Sequence, residues 1–327
     1  MTEKDNPVEK VVVDCDPGVD DALALAMILG SPKLDLIGVT TVFGNLSVDQ
    51  VTRNAAGLLA LAGRKDILVA KGAAKSLTGL FSGGVPHVHG NDGLGDKNIL
   101  SGVKTQDLSE QCAASQMISM AKNACSEGGL TILALGPLTN LALALQIDPD
   151  FDTYVNRVVL MGGNAFCMGN ATPAAEANML GDPEAADIVF GARWPVTMVG
   201  LDVTHQVLLS SVQLQRIADR AGFAAKVTSD TVPFYQDFLK RMNGIDGIYC
   251  HDPSAVAFLL SPELFVIKNL PVRVETQGIS RGKTWPSLGD TDDENPEPWE
   301  GRPTVEICKS VSGEEVSKLI ESVLLDS

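Results

Sequence analysis

The segment Asp14-Cys15-Asp16-Pro17-Gly18-Val19-Asp20-Asp21 sets four carboxylates in eight residues, directly after the apolar run Val11-Val12-Val13. An apolar run followed by Pro-Gly reads as a buried strand turning into a helix. Asp14 and Asp16 flank Cys15 and so point the same way from the strand end, while Asp20 and Asp21 open the helix. So much negative charge repels unless a cation or tight hydrogen bonding intervenes, and a hard, oxygen-ligated metal resolves the crowding. Helix capping accounts for one acidic residue in a first turn, not for four. An EF-hand loop starting at Asp14 fails, because Val19 stands where that loop needs Gly and Leu25 where it needs Glu. Further ligands must therefore come from elsewhere in the chain.

Two other segments carry chemistry. Tyr249-Cys250-His251-Asp252-Pro253 precedes an apolar stretch expected to be helical over 254–260. Adjacent His and Asp project in different directions, so one can serve a metal while the other faces a leaving group. Alternatively, Asp252 caps the helix and His251 lies on the surface. The polar stretch 164–178 holds Glu176 and Asn178, which share a face if the chain is extended. Amide and carboxylate groups pair directionally with sugar hydroxyls, whereas Asn164 reads as a turn former.

These residues need a scaffold. Strand-like runs at 11–13, 36–42, 67–70, 130–135, 155–161 and 196–201 alternate with helical segments near 21–29, 48–62, 108–125, 138–146 and 183–190. Such alternation predicts an α/β fold with a mostly parallel central sheet flanked by helices. Ligands bind beyond the carboxyl ends of such strands, where Asp16, Asn45, residues 135–140 and residues 162–170 fall. Two long loops interrupt the pattern. The first, 72–100, carries His87 and His89 among glycines, a composition that suits either a lid over substrate or a solvated loop. The second, 278–303, reads as a solvated acidic excursion with Asp290, Asp292, Asp293, Glu294, Glu297 and Glu300, its Trp285 and Trp299 packing on the surface.

Composition narrows the function classes. The 327 residues show no linker or low-complexity boundary, so a single domain over 1–327 is expected. A hydrophobic share of 45% with 5% aromatics implies an aliphatic core. The net charge of -16 argues against nucleic acid and anionic membranes as partners. Six cysteines without a CxxC spacing predict reduced thiols, a cytoplasmic protein and no zinc site. Residues 1–10 do not read as a signal peptide, and the uncharged stretch 130–147 is cut by Gly136-Pro137 and Thr139-Asn140, so no membrane span is expected. Neither a Walker A signature nor a GxGxxG turn is present.

Taken with Gly44-Asn45, Leu138-Thr139-Asn140, Met161-Gly162-Gly163, Glu176-Ala177-Asn178, Asp182-Pro183-Glu184-Ala185 and His251-Asp252-Pro253, the acidic string resembles the nucleoside hydrolase family, in its His-Asp, inosine-uridine-preferring branch. The resemblance implies that family's Rossmann-like fold and hydrolysis of the N-glycosidic bond of ribonucleosides to ribose and free base. It further implies purine nucleosides such as inosine and guanosine as substrates, with uridine a further one, a role in purine salvage, one calcium ion and a homo-oligomer, dimer or tetramer. By the same resemblance Asp16, Asp21, Asp252 and the Leu135 carbonyl would ligate calcium, and Asp16 would serve as the base toward water. Asp20, Asn170, Glu176 and Asn178 would bind ribose, with Asn45 supporting Asp16 and Met161 among the substrate contacts. His251 would protonate or hydrogen-bond the departing base, with His89 near the family's lid histidine and Tyr235 on the helix before His251. Leu239 stands where inosine-uridine enzymes carry a further tyrosine, and Gly136-Pro137 where close relatives have Gly-Gly.

Two other readings remain open. Asp14-x-Asp16 after a strand also mimics a haloacid-dehalogenase-like phosphatase, although Gly18 stands where that family needs Thr or Val. A non-catalytic nucleoside-binding protein could use the same pocket, but binding alone requires neither a base nor an acid.

Overall fold

A computed structural model of the protein describes residues 8–287 and 297–327. Its strands are β1 (Glu9–Cys15), β2 (Leu34–Thr41), β3 (Leu68–Lys71), β4 (Thr131–Ala134), β5 (Arg157–Met161), β6 (Val196–Val199), β7 (Leu208–Ser210), β8 (Gly247–Tyr249), β9 (Phe265–Val274), β10 (Thr284–Pro286) and β11 (Thr304–Val311). Nine of them form one sheet in the order β10-β9-β11-β6-β5-β4-β1-β2-β3, and β7 pairs with β8 apart from it. The run from β3 through β1 to β6 and β11 is parallel, as expected, while β9 and β10 add antiparallel at one end. At the other end, Ser109 donates to the Val69 carbonyl at 2.8 Å and partly covers the β3 edge.

β1 lies between β2 and β4, which explains its uninterrupted apolar sequence: both faces need apolar cover. Val11, Val13 and Cys15 join the core on one face with the helices Val19–Gly30 and His251–Leu260, and Val12 joins the core on the other with the helices Ala113–Ala124 and Thr139–Ile147. Helix Val19–Gly30 is buried from Val19 to Ile28, so the acidic turn ahead of it is fixed at the sheet's centre.

Several expectations are corrected here. The helix expected over 254–260 begins at His251, which puts His251 and Asp252 in its first turn. Residues 177–181 are helical, so Glu176 and Asn178 do not share the face of an extended chain; Glu176 instead caps the helix Ala177–Gly181. The 72–100 segment contains a helical turn, Pro86–His89, and is packed down: Val85 donates to the Asn45 carbonyl at 2.8 Å, and His89 is buried. The 278–303 segment is not wholly a solvated excursion, because β10 pairs with β9, and the Trp299 indole donates to the Trp285 carbonyl at 2.8 Å. Its Asp290, Asp292, Asp293 and Glu294 lie outside the described residues. The stretch 130–147 resolves into β4 and the helix Thr139–Ile147, and among the described residues no helix is long and apolar enough to cross a membrane.

One buried side chain ties three elements together. The Asn140 amide donates to Asp14 Oδ1 at 2.8 Å and to the Thr41 carbonyl at 2.9 Å, and its oxygen accepts from Ala73 N at 2.9 Å. Asn140→Ala removes all three hydrogen bonds at once, with Thr40 left on Asp14 Oδ1, and is expected to cost about 3 kcal/mol, read as a lowered urea midpoint at unchanged slope.

Candidate active site

The turn after β1 is built around two glycine-sized gaps. Asp16 Oδ2 accepts from Asn45 N at 2.6 Å, and a Cβ on Gly44 would lie 2.0 Å from that oxygen. A Cβ on Gly136 would lie 2.7 Å from Asp16 Oδ1, which is buried with no hydrogen-bond partner. The Asn45 amide also donates to the Asp16 carbonyl at 3.1 Å and to Asp21 Oδ2 at 3.2 Å. Asp21 caps its own helix, accepting from Gly18 N at 2.9 Å and Asp16 N at 3.3 Å. Capping is thus part of its role, alongside the cluster it joins.

The four carboxylates do not all converge. Asp14 faces Thr40 and Asn140, whose side chains reach its Oδ1 at 2.7 and 2.8 Å, and burial pushes its pKa up to about 7. It sits within the sheet, and the turn directs only the later three onward. Carboxylate oxygens of Asp20, Asp21 and Asp252 lie within 4.8 Å of one another, all three residues buried. Burial first, then the neighbouring carboxylates, raises Asp16 and Asp252 well above the usual range and Asp21 to about 7. An orphaned buried oxygen on Asp16, a hard-oxygen donor set and frustrated negative charge together fit a divalent cation. Of the expected ligand set, Asp21 and Asp252 meet directly, whereas Asp20, expected to bind sugar, joins them. The Leu135 carbonyl already accepts from Asn178 Nδ2 at 2.8 Å, which leaves one lone pair for a cation.

Imidazoles line one side. His251 Nδ1 lies 2.9 Å from Thr204 Oγ1, and the rings of His205 and Tyr249 sit 5.5 and 5.8 Å from it. Burial pushes the His251 pKa down to about 4, so it is a neutral imidazole at physiological pH. His89 Nδ1 accepts from Val19 N at 3.2 Å, which assigns the ring proton to Nε2. Its ring stacks on Tyr235 at 5.8 Å and its Nδ1 lies 3.9 Å from Asp20. Sequence reasoning gave no role to Thr204, His205 or Tyr249. The carboxyl-end rule applied to β6 would have found the first two, since the helix Leu201–Thr204 follows that strand.

On the other side, Glu176 Oε2 accepts from Gly163 N and Met179 N at 2.9 and 3.0 Å, and its Oε1 from Asn178 N at 2.8 Å. Asn178 Nδ2 also reaches the Met161 carbonyl at 3.1 Å, placing Met161 at the floor beside Leu135. Asn170 is exposed, and its side-chain oxygen accepts from Ala177 N at 3.1 Å. Asn164 is no simple turn former: fully buried, it donates to the Cys167 and Ala174 carbonyls and accepts from Glu176 N.

The family profile described as inosine-uridine preferring nucleoside hydrolase matches residues 11–318. The chain belongs to that family. It is 40% identical to uridine nucleosidase 1 of Arabidopsis thaliana over 317 residues, covering 97% of this chain and 93% of the relative. It is also 36% identical to the inosine-uridine preferring nucleoside hydrolase of Crithidia fasciculata, covering 83% and 84%. A solved plant nucleoside hydrolase superposes with a TM-score of 0.93 at 37% identity, covering 98% of this chain and 99% of that one. The protein is thus a nucleoside hydrolase with that family's mostly parallel sheet, and membership sets the phosphatase reading aside.

The raised carboxyl pKa values have a thermodynamic consequence. A carboxyl raised to about 7 in the fold, as at Asp21, favours the folded state only while protonated, so the metal-free protein loses stability as pH rises from its unfolded value toward 7. Melting temperature in chelator is therefore expected to fall across that window, with added calcium restoring it more at higher pH; a melting curve indifferent to both contradicts the cation site.

Proposed function

We propose that this nucleoside hydrolase is calcium-dependent and cleaves ribonucleosides whose base departs as a stabilised anion, uridine and inosine first among them. The observation that carries the reading is the meeting of Asp20, Asp21 and Asp252 beside the unpartnered Asp16 oxygen. When bound, calcium would acidify water and anchor the ribose diol. Asp16, held on one oxygen by Asn45 and free on the other, is placed to take a proton from the attacking water. Loss of the base leaves positive charge on the ribosyl centre, which the surrounding carboxylates favour. Asn178, Glu176 and Asn170 form the sugar side, with Met161 beneath them.

His251 faces the base. Neutral at working pH, it donates a hydrogen bond rather than delivering a full positive charge, which suffices for uracil and hypoxanthine but serves adenine poorly. The name of the Arabidopsis relative supports uridine and that of the Crithidia relative inosine and uridine, so uridine, expected only as a further substrate, moves to stand beside inosine in this reading.

The test is base release from uridine, inosine, guanosine, adenosine and cytidine, with calcium and with chelator. Uridine and inosine should be cleaved fastest, and chelation should abolish turnover reversibly. Asp16→Asn should lower kcat by about a thousandfold with little change in substrate affinity, and Asp252→Ala should weaken calcium binding. Tight binding of inosine without release of hypoxanthine would instead identify a non-catalytic binder. Because His251 stays neutral, kcat should show no inflection from it between roughly pH 5.5 and 8.

A further inference from the structure

Lys283, from the turn before β10, is 7% exposed, and its ammonium donates to the Asn164, Cys167 and, at the limit of bonding distance, Ala165 carbonyls. Asp202, in the helix after β6 and 8% exposed, accepts from Ala165 N and Phe166 N at 2.7 Å each. One side chain thus collects the carbonyls of a four-residue stretch and the other its amides. Thr284 adds its hydroxyl to Asn164 N at 2.9 Å. Burial pulls the ammonium's pKa down and the Asp202 charge opposes that, so the lysine is held where an apolar filler would have cost less.

The fastening reaches the sugar side. Asn164 holds Glu176 N at 3.2 Å, the Glu176 carboxylate holds Asn178 N at 2.8 Å, and the Asn178 amide spans the Leu135 and Met161 carbonyls. We propose that Lys283 and Asp202 are a positioning pair for the sugar-binding loop 164–178, setting how tightly ribose is read without touching the base. The inference rests on the assignment of Glu176 and Asn178 to ribose given above. Three carbonyls satisfy the three donors of an ammonium, so the lysine fixes backbone orientation at several points at once.

The experiment compares wild type with Lys283→Met, Lys283→Arg and Asp202→Asn, using uridine, inosine and 2′-, 3′- and 5′-deoxyuridine. Lys283→Met should raise KM about tenfold or more with a smaller change in kcat, equally for uridine and inosine, and should shrink the penalty that wild type imposes on at least one deoxy analogue. Lys283→Arg should recover part of the loss, and Lys283→Met combined with Asp202→Asn should be less than additive, because both act on one stretch of backbone. Calorimetric binding of uridine and the deoxyuridines reads the same effect without turnover: binding weakened in Lys283→Met, with a smaller sugar penalty and partial recovery in Lys283→Arg, upholds the pair whether or not wild type hydrolyses uridine. Wild-type kinetics and binding in Lys283→Met would overturn the proposal. So would a loss that leaves every sugar penalty intact and that arginine does not rescue, since that is the pattern of a purely structural lysine.

Discussion

Buried carboxylates from the two ends of the sequence share a space too small for their mutual repulsion, and this is the constraint around which the rest of the molecule is arranged. Asp20 and Asp21 arrive on the first helix and Asp252 on a helix more than two hundred residues later, both packed into one core. The parallel part of the sheet makes this meeting possible, because its strands all end at the same rim. In a buried site, a cation or protonation relieves charge held this way.

Small residues make the rest of the arrangement feasible. Gly44 and Gly136 admit the two oxygens of Asp16 from opposite sides, and side chains at either position would collide with them. The same economy holds against the 72–100 segment, where a Cβ on Gly18 would lie 2.7 Å from His89 Nδ1. The site is therefore organised by backbone approach as much as by side-chain chemistry, which is how Asp16 is held on one oxygen while the other stays free.

The two sides of the carboxylate cluster differ in kind. One is aromatic and neutral: His251, His205 and Tyr249 lie against one another, His89 stacks on Tyr235, and burial suppresses the imidazole charge. The other is a web of amides and carbonyls held by Glu176, Asn164 and Asn178 and backed by Lys283. Directional hydrogen bonds suit hydroxyl groups, while uncharged rings suit a planar base that leaves with its electron pair.

Much of the fold was legible in the chain because its signals are local. The apolar runs that became β1, β2, β4 and β5 each needed cover on both faces, and the Pro-Gly turn with its acidic helix start marked the site. The antiparallel addition of β9 and β10 carried no such signal: β10 is three residues long, and Thr284 and the preceding Lys283 reach a loop more than a hundred positions away. The sequence by itself determined which chemical groups exist and where strands must end, since periodicity and turn chemistry act over a few residues. Only the tertiary structure decided that Asp14 turns away from the cluster while Asp20 joins it, that Glu176 caps a helix, and that Thr204 holds His251, because partners across distant segments are chosen by packing and not by spacing.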